Sequence, residues 1–128
     1  MLENKLYTIQ SIKDEGGEIE ATLLIDRNHP VFAGHFPGRP VLPGVCMMQI
    51  VKEILEKSRN TCLILSEAQN AKFLSLIDPN VTSTVQATVQ YTAGTEGQFE
   101  IIASLHSGEQ VFFKYKAVFL PQSSIMRN

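Results

Sequence analysis

Two cysteines in 128 residues are too few for a disulfide scaffold, and they lack the paired spacing with histidine that zinc sites use. Both stand in apolar stretches, Cys46 and Cys62, which fits a reducing compartment. Charge is sparse as well: 19% of residues are charged, the net charge is −2, and no run of lysine or arginine occurs, so nothing points to nucleic acid. No apolar run approaches the length a bilayer demands. Residues 1–17 are charged and lack the apolar core of a secretory signal, so a cytoplasmic chain without a membrane partner is expected. Internal repeats and low-complexity stretches are absent too. What remains is an ordinary 44% of hydrophobic residues, enough for one well-packed domain over 1–121 followed by a loose tail at 122–128.

Hydrophobic patterning supplies the elements. Residues 6–12 and 18–25 read as strands joined by a turn at Asp14-Glu15-Gly16-Gly17, with Ile19, Ala21, Leu23 and Ile25 alternating onto one face. From Gly44 to about Lys57 the period becomes helical. Gln49, Lys52, Glu53 and Glu56 form one polar stripe, and the other positions, Val45 to Met48, Ile50, Val51, Ile54 and Leu55, are apolar, so the helix is expected to be largely enclosed. A short strand at 61–66, a second at 71–74 and a turn at Asp78-Pro79-Asn80 follow. Three long alternating strands come last, sharing faces through Val85, Ala87 and Val89, then Phe99, Ile101, Ala103 and Leu105, then Phe113, Tyr115, Ala117 and Phe119. Their short connections at 93–97 and 107–109 make them an antiparallel meander. Periodicity thus predicts an α+β fold, an antiparallel sheet with one buried helix.

Chemistry concentrates where proline does. Four of the six prolines fall between residues 30 and 43, within a run reading His35-Phe36-Pro37-Gly38-Arg39-Pro40-Val41-Leu42-Pro43-Gly44-Val45. Proline fixes its own φ and biases its predecessor away from helix, so this loop holds His35 stiffly. Its end opens a helix whose first amides point outward, where the helix dipole favours negative charge. A histidine titrating near neutrality beside such amides suits proton transfer on a polarised carbonyl. A ring merely bonded into its own loop is the plainer reading. His29, before Pro30, reads as a local cap, and His106, beside Ser107-Gly108, as exposed.

The same run resembles the His-Phe-Pro-Gly-x-Pro-x-x-Pro-Gly segment of the β-hydroxyacyl-acyl-carrier-protein dehydratases. Lys72-Phe73 and Asp78-Pro79-Asn80 are similar, more loosely, to an Arg-Phe pair and a Pro-Gly-Asp turn of that family. The resemblance implies a hotdog fold, one central helix wrapped by a curved antiparallel sheet. It implies loss of water from a 3-hydroxyacyl thioester on an acyl carrier protein, giving the trans-2-enoyl thioester, with no metal or organic cofactor. His35 would take the C2 proton and the Gly44 N–H would face the thioester oxygen. Phe36, Pro43, Val45 and Met48 would contact substrate, and Cys46 and Met47 are further candidates for lining an acyl tunnel.

One position departs from the pattern. Fourteen residues beyond the histidine the family carries Glu or Asp, and this chain has Gln49, which can hydrogen-bond a hydroxyl but cannot protonate it. The family's Glu and later Gln are reversed here as Gln49 and Glu53. Glu53, one helical turn away, is expected to be a surface carboxylate beside Lys52 and Lys57. Arg39, Lys72, Lys114 and Lys116 would offer a basic patch to an acidic carrier. Since related active sites are built by two subunits, the resemblance implies a homodimer or higher assembly, or a heterodimer with a related dehydratase. An acid-deficient subunit or acyl-binding module, and an acyl thioesterase, stay open as alternatives.

Overall fold

A computed structural model describes residues 1–33 and 40–125, with the side chains of the last two left aside. Six strands form one sheet in the order β1-β2-β4-β5-β6-β3: β1 Tyr7–Glu15, β2 Glu18–Ile25, β3 Leu63–Phe73, β4 Thr84–Ala93, β5 Phe99–Ser107 and β6 Gln110–Pro121. All neighbouring pairs are antiparallel. One long helix, α1 (Gly44–Arg59), lies in the hollow of the sheet, and a single helical turn, α2 (Gln122–Ile125), follows β6. This is the wrapped-helix arrangement that the sequence resemblance implied.

Local chemistry fixes the ends of these elements. Glu15 pairs with Glu18 across Gly16 and Gly17, whose φ values of 60° and 82° match the two-residue hairpin turn that glycine favours. Helix α1 ends at Asn60, which adopts a left-handed conformation (φ 51°) and donates its N–H to Glu56 O. Lys57 and Arg59 stand in the last turn, where the dipole favours cations. At the other end the N-cap is Pro43, which offers no side-chain acceptor to the first amides.

The core forms between α1 and the inner face of the sheet. Met47, Ile50, Val51, Ile54 and Leu55 are buried against the alternating residues of β2, β4, β5 and β6, including Ile19, Leu23, Val85, Val89, Leu105 and Phe113. Each fully buried aliphatic side chain contributes roughly 1.5–3 kcal/mol relative to exposure. The opposite corner is fastened by Asp14, whose carboxylate accepts from Ser58 Oγ (2.6 Å), Tyr91 Oη (2.7 Å) and Arg59 Nη1 (3.3 Å). That contact ties the end of β1 to the end of α1 and to β4.

The region after the helix differs from the expected two short strands. Leu63–Phe73 is one continuous strand, paired with β6 and broken in register between Leu65 and Glu67 and between Ala68 and Asn70. These bulges destroy the period of two, and from Leu65 onward the strand is exposed on both faces, so no alternation marks it in sequence. Over this exposed stretch the backbone pairing with β6 carries it as an edge strand. Cys62 is exposed rather than enclosed, Cys46 is half-buried, and both are free thiols. His29 does cap locally, its Nδ1 accepting from Val31 N at 3.0 Å. His106 is half-buried rather than exposed, with Nε2 3.2 Å from Oγ1 of Thr88, two residues along β4 from its cross-strand partner Gln86.

Candidate active site

The run that the sequence singles out reaches the described structure at its second half. His35 and Phe36, with Gly38 and Arg39, lie outside the described residues. Pro40 to Pro43 lead into α1, with Val41, Leu42 and Pro43 buried and Leu42 N bonded to Ile77 O at 2.9 Å. This contact anchors the loop to the segment after β3. The helix start is therefore held from both sides of the chain.

Any residue larger than glycine at position 44 would have to displace Phe73. A Cβ there would stand 2.6 Å from Cε1 of Phe73 and 2.9 Å from its Cζ. Phe73 in turn stacks on Phe113 at 4.9 Å between ring centroids, and Phe113 on Tyr115 at 5.3 Å. The pairing of Lys72-Phe73 with the motif, loose in sequence, thus has a steric meaning: the aromatic ring requires glycine at the helix opening. Within the first turn, the amides of Cys46 and Met47 bond to Pro43 O at 3.0 and 3.2 Å. The N–H groups of Gly44 and Val45 find no partner among the described residues.

Beside this turn lies a hollow of about 480 Å³ lined by Leu42, Gly44, Met47 and the segment Phe73 to Leu76. Ser75 is its single polar side chain, and the volume lies in the range of small-molecule clefts. Val45, Met48 and Gln49 are three and four residues apart, so they share the outward face of the same two turns. Val45 is 72% exposed; Met48 and Gln49 are half-buried. Phe73, Leu74 and Leu76 are each more than half exposed, so the mouth of the hollow is an apolar surface. Met47, by contrast, is buried and packs in the core as well as reaching the hollow.

Glu53 overturns the expectation of a surface carboxylate. It is 1% exposed, and among the described residues it is the buried charged group. Its Oε1 accepts from Glu3 N (2.8 Å) and Tyr7 Oη (2.9 Å); its Oε2 accepts from Leu2 N and Gln49 Nε2, both at 2.8 Å. The N-terminal segment folds across the helix here, a long-range contact that helical periodicity cannot announce. The lysines expected beside Glu53 bond elsewhere: Lys57 to Glu3 at 2.6 Å and Lys52 to Glu56 at 3.8 Å. Burial alone would push the Glu53 carboxyl up, but its donors outweigh that and hold it below the usual carboxylate range. Tyr7 is driven the other way, upward, by burial and by the Glu53 charge. The reversed order of Gln49 and Glu53 was the one visible signal that this position differs.

Three of the four basic residues, Lys72, Lys114 and Lys116, occupy the outer face of the sheet. Lys72 stands directly opposite Lys114 on β3 and β6, and Lys116 follows opposite Asn70. They border a second hollow of about 420 Å³ together with Thr88, Gln90, Ile102 and Ser104. It lies on the side of the sheet away from α1, since its wall-forming positions alternate with the buried Ala103 and Tyr115. No described helix is long and apolar enough to cross a membrane.

A single helix in the hollow of a six-stranded antiparallel sheet, with a glycine-opened helix start beside an apolar cleft, defines a hotdog-fold protein. The fold is shared with the dehydratase heterocomplex ApeI:P from Xenorhabdus doucetiae, at a TM-score of 0.71 and 19% identity over 88% of this chain and 96% of that one. A family described as ApeI dehydratase (ApeI-like) matches residues 11–116. The 3-hydroxyacyl-acyl-carrier-protein dehydratase FabZ of Wolbachia pipientis wMel is 34% identical over 99 residues, covering 72% of this chain and 69% of its own. That of Rickettsia felis is 29% identical over 104 residues, covering 75% and 72%. The chain belongs to the FabZ-related, ApeI-like dehydratase family.

Proposed function

We propose that the protein removes water from a 3-hydroxyacyl thioester carried on an acyl carrier protein, yielding the trans-2-enoyl thioester. The observation that carries this reading is the start of α1: a glycine kept bare under Phe73, with outward amides beside an apolar cleft, immediately after the His-Phe-Pro-Gly run. The acyl chain lies in the cleft and the thioester oxygen against the Gly44 N–H. As the C2 proton leaves to His35, its bonding pair forms a C1–C2 double bond and negative charge gathers on that oxygen. The amide and the dipole behind it then stabilise the charge; such a donor is typically worth about 10²–10³ in rate. The enolate then collapses, the C2–C3 double bond forming as the C3–O bond breaks, and His35 returns the proton to the departing hydroxyl, which leaves as water. Gln49 holds that hydroxyl without donating a proton. Phe36, Pro43, Val45 and Met48 flank the acyl chain. No cofactor takes part.

Two subunits complete the site in this reading. Strand β3 is an edge strand of 11 residues with both faces exposed for most of its length, and the cleft opens on the apolar patch of Val45, Phe73, Leu74 and Leu76. A second subunit covers that surface. The partner is either a copy of this chain or a related dehydratase that retains the carboxylate. The heteromeric assembly of the Xenorhabdus neighbour favours including the second possibility. Lys72 and Lys114 receive the acidic carrier protein.

The test is direct. Purified protein is incubated with a 3-hydroxyacyl-carrier substrate and the loss of one water is followed by mass spectrometry. Turnover that disappears in His35→Ala supports the reading; turnover unchanged by that substitution, or release of free thiol instead of water, refutes it. Native mass spectrometry with related hotdog subunits separates the two assemblies: a stable mixed dimer that gains activity favours the heteromer.

A further inference from the structure

We infer that Glu53 fixes the sense of the Gln49 amide, so that Gln49 offers its carbonyl oxygen to the site and selects acyl chains that bear a hydroxyl hydrogen. The inference rests on the dehydratase reading for the identity of the ligand. Its geometry is independent of that reading.

An amide side chain can bond either way round, because oxygen and nitrogen are nearly the same size. Here the neighbour decides. Glu53 Oε2 lies 2.8 Å from Gln49 Nε2, and a carboxylate can only accept, so the atom facing it is the NH₂ group. Glu53 cannot turn to release it. Both its oxygens are occupied, by the amides of Leu2 and Glu3, by the Tyr7 hydroxyl and by Gln49 itself, in a pocket from which the carboxylate is 1% exposed. Nε2 and Oε1 diverge from one carbon, so the oxygen is turned away from the latch, on the helix face shared with Val45 and Met48. A fixed acceptor there favours a 3-hydroxyacyl group over a 3-oxoacyl group, whose C3 oxygen can only accept. A Gln free to rotate would turn its NH₂ to the 3-oxo group and treat the two more evenly. Glu53 is thus a positioning residue acting through Gln49, and the reversed order of the pair becomes a device for binding rather than for proton donation.

The experiment compares binding of 3-hydroxyoctanoyl-pantetheine and 3-oxooctanoyl-pantetheine by titration calorimetry, in His35→Ala protein so that no turnover intervenes. The hydroxylated thioester should bind up to about tenfold more tightly, the worth of one oriented hydrogen bond. Adding Glu53→Gln should reduce the preference to within about twofold while retaining binding of the 3-oxo thioester. A preference that persists in folded Glu53→Gln protein overturns the inference. Binding of both thioesters with equal affinity before that change overturns it too and leaves the dehydratase reading standing. Binding of neither defeats both.

A second measurement stands if Glu53→Gln fails to fold. Gln49→Glu places two carboxyls in the contact now made by amide and carboxylate, where they must share a proton. Around them stand Tyr7 from β1, Glu3 paired with Lys57, and Glu56 paired with Lys52. Carboxyl carbon NMR of Gln49→Glu should then show one of the two groups titrating well above the ordinary value of about 4.3. Ordinary titration by both overturns the inference.

Discussion

The ring of Phe73 lies against the α-carbon of Gly44 so closely that a methyl group there would meet Cε1 at 2.6 Å. One residue at the end of an edge strand thereby dictates the residue that opens the helix. The Gly44→Ala substitution should cost about 1–3 kcal/mol, the usual range for overpacking. Urea unfolding of Gly44→Ala, Phe73→Ala and the double variant checks it. The double variant should be more stable than the sum of the single losses predicts, because the alanine loses its clash when the ring is gone.

Restoring a carboxyl at position 49 should raise the dehydration rate. General acid catalysis is commonly worth about 10²–10⁴, and part of that range is open to Gln49→Glu. Since Glu53 remains beside it, the new acid holds its proton to higher pH than a solitary glutamate would, and activity should extend correspondingly toward neutral pH. Steady-state rates across pH 5–9 (about that span suffices) measure the effect; a rate equal to or below that of the parent counts against Gln49 standing at the departing hydroxyl.

Glu53 should make stability depend on acid. Its folded-state carboxyl is held below the unfolded value of about 4.3, so its contribution is complete above that value and is lost as pH falls through the folded one. In Glu53→Gln an NH₂ group would face donors at the latch, a loss on the order of 1–3 kcal/mol at neutral pH. Denaturant melts of parent and variant should therefore differ most near neutrality and converge as the solution is taken toward pH 3 (about one unit below the free carboxyl).

The exposed apolar mouth should decide assembly. Leu74→Asp with Leu76→Asp puts charge on two side chains that are 53% and 57% exposed in the single chain, so the fold should tolerate both. Sedimentation velocity should show the parent as a dimer or larger and the double variant shifted toward monomer, with dehydration falling in parallel.

Most of the scaffold could be read in advance because burial there is periodic. Every second residue of β2, β4 and β5 faces α1, and Ile19, Val85 and Ile101 were legible for that reason. Strand β3 was not, because its bulges and two exposed faces leave it without alternation. The helix opening at Gly44 was legible from proline and glycine placement, whereas the reason for the glycine, Phe73, is a tertiary contact. Glu53 looked solvated because Gln49, Lys52 and Glu56 form a genuine polar stripe. What draws it inward comes from residues 2, 3 and 7, about 50 positions away in the chain.

Amide hydrogens outside helices and long strands usually trade with solvent almost as fast as those of a free peptide. The two that reach Glu53 belong to the second and third residues, yet they are bonded to a side chain as enclosed as any in the core. In deuterated buffer these hydrogens should be retained alongside those of the central strands.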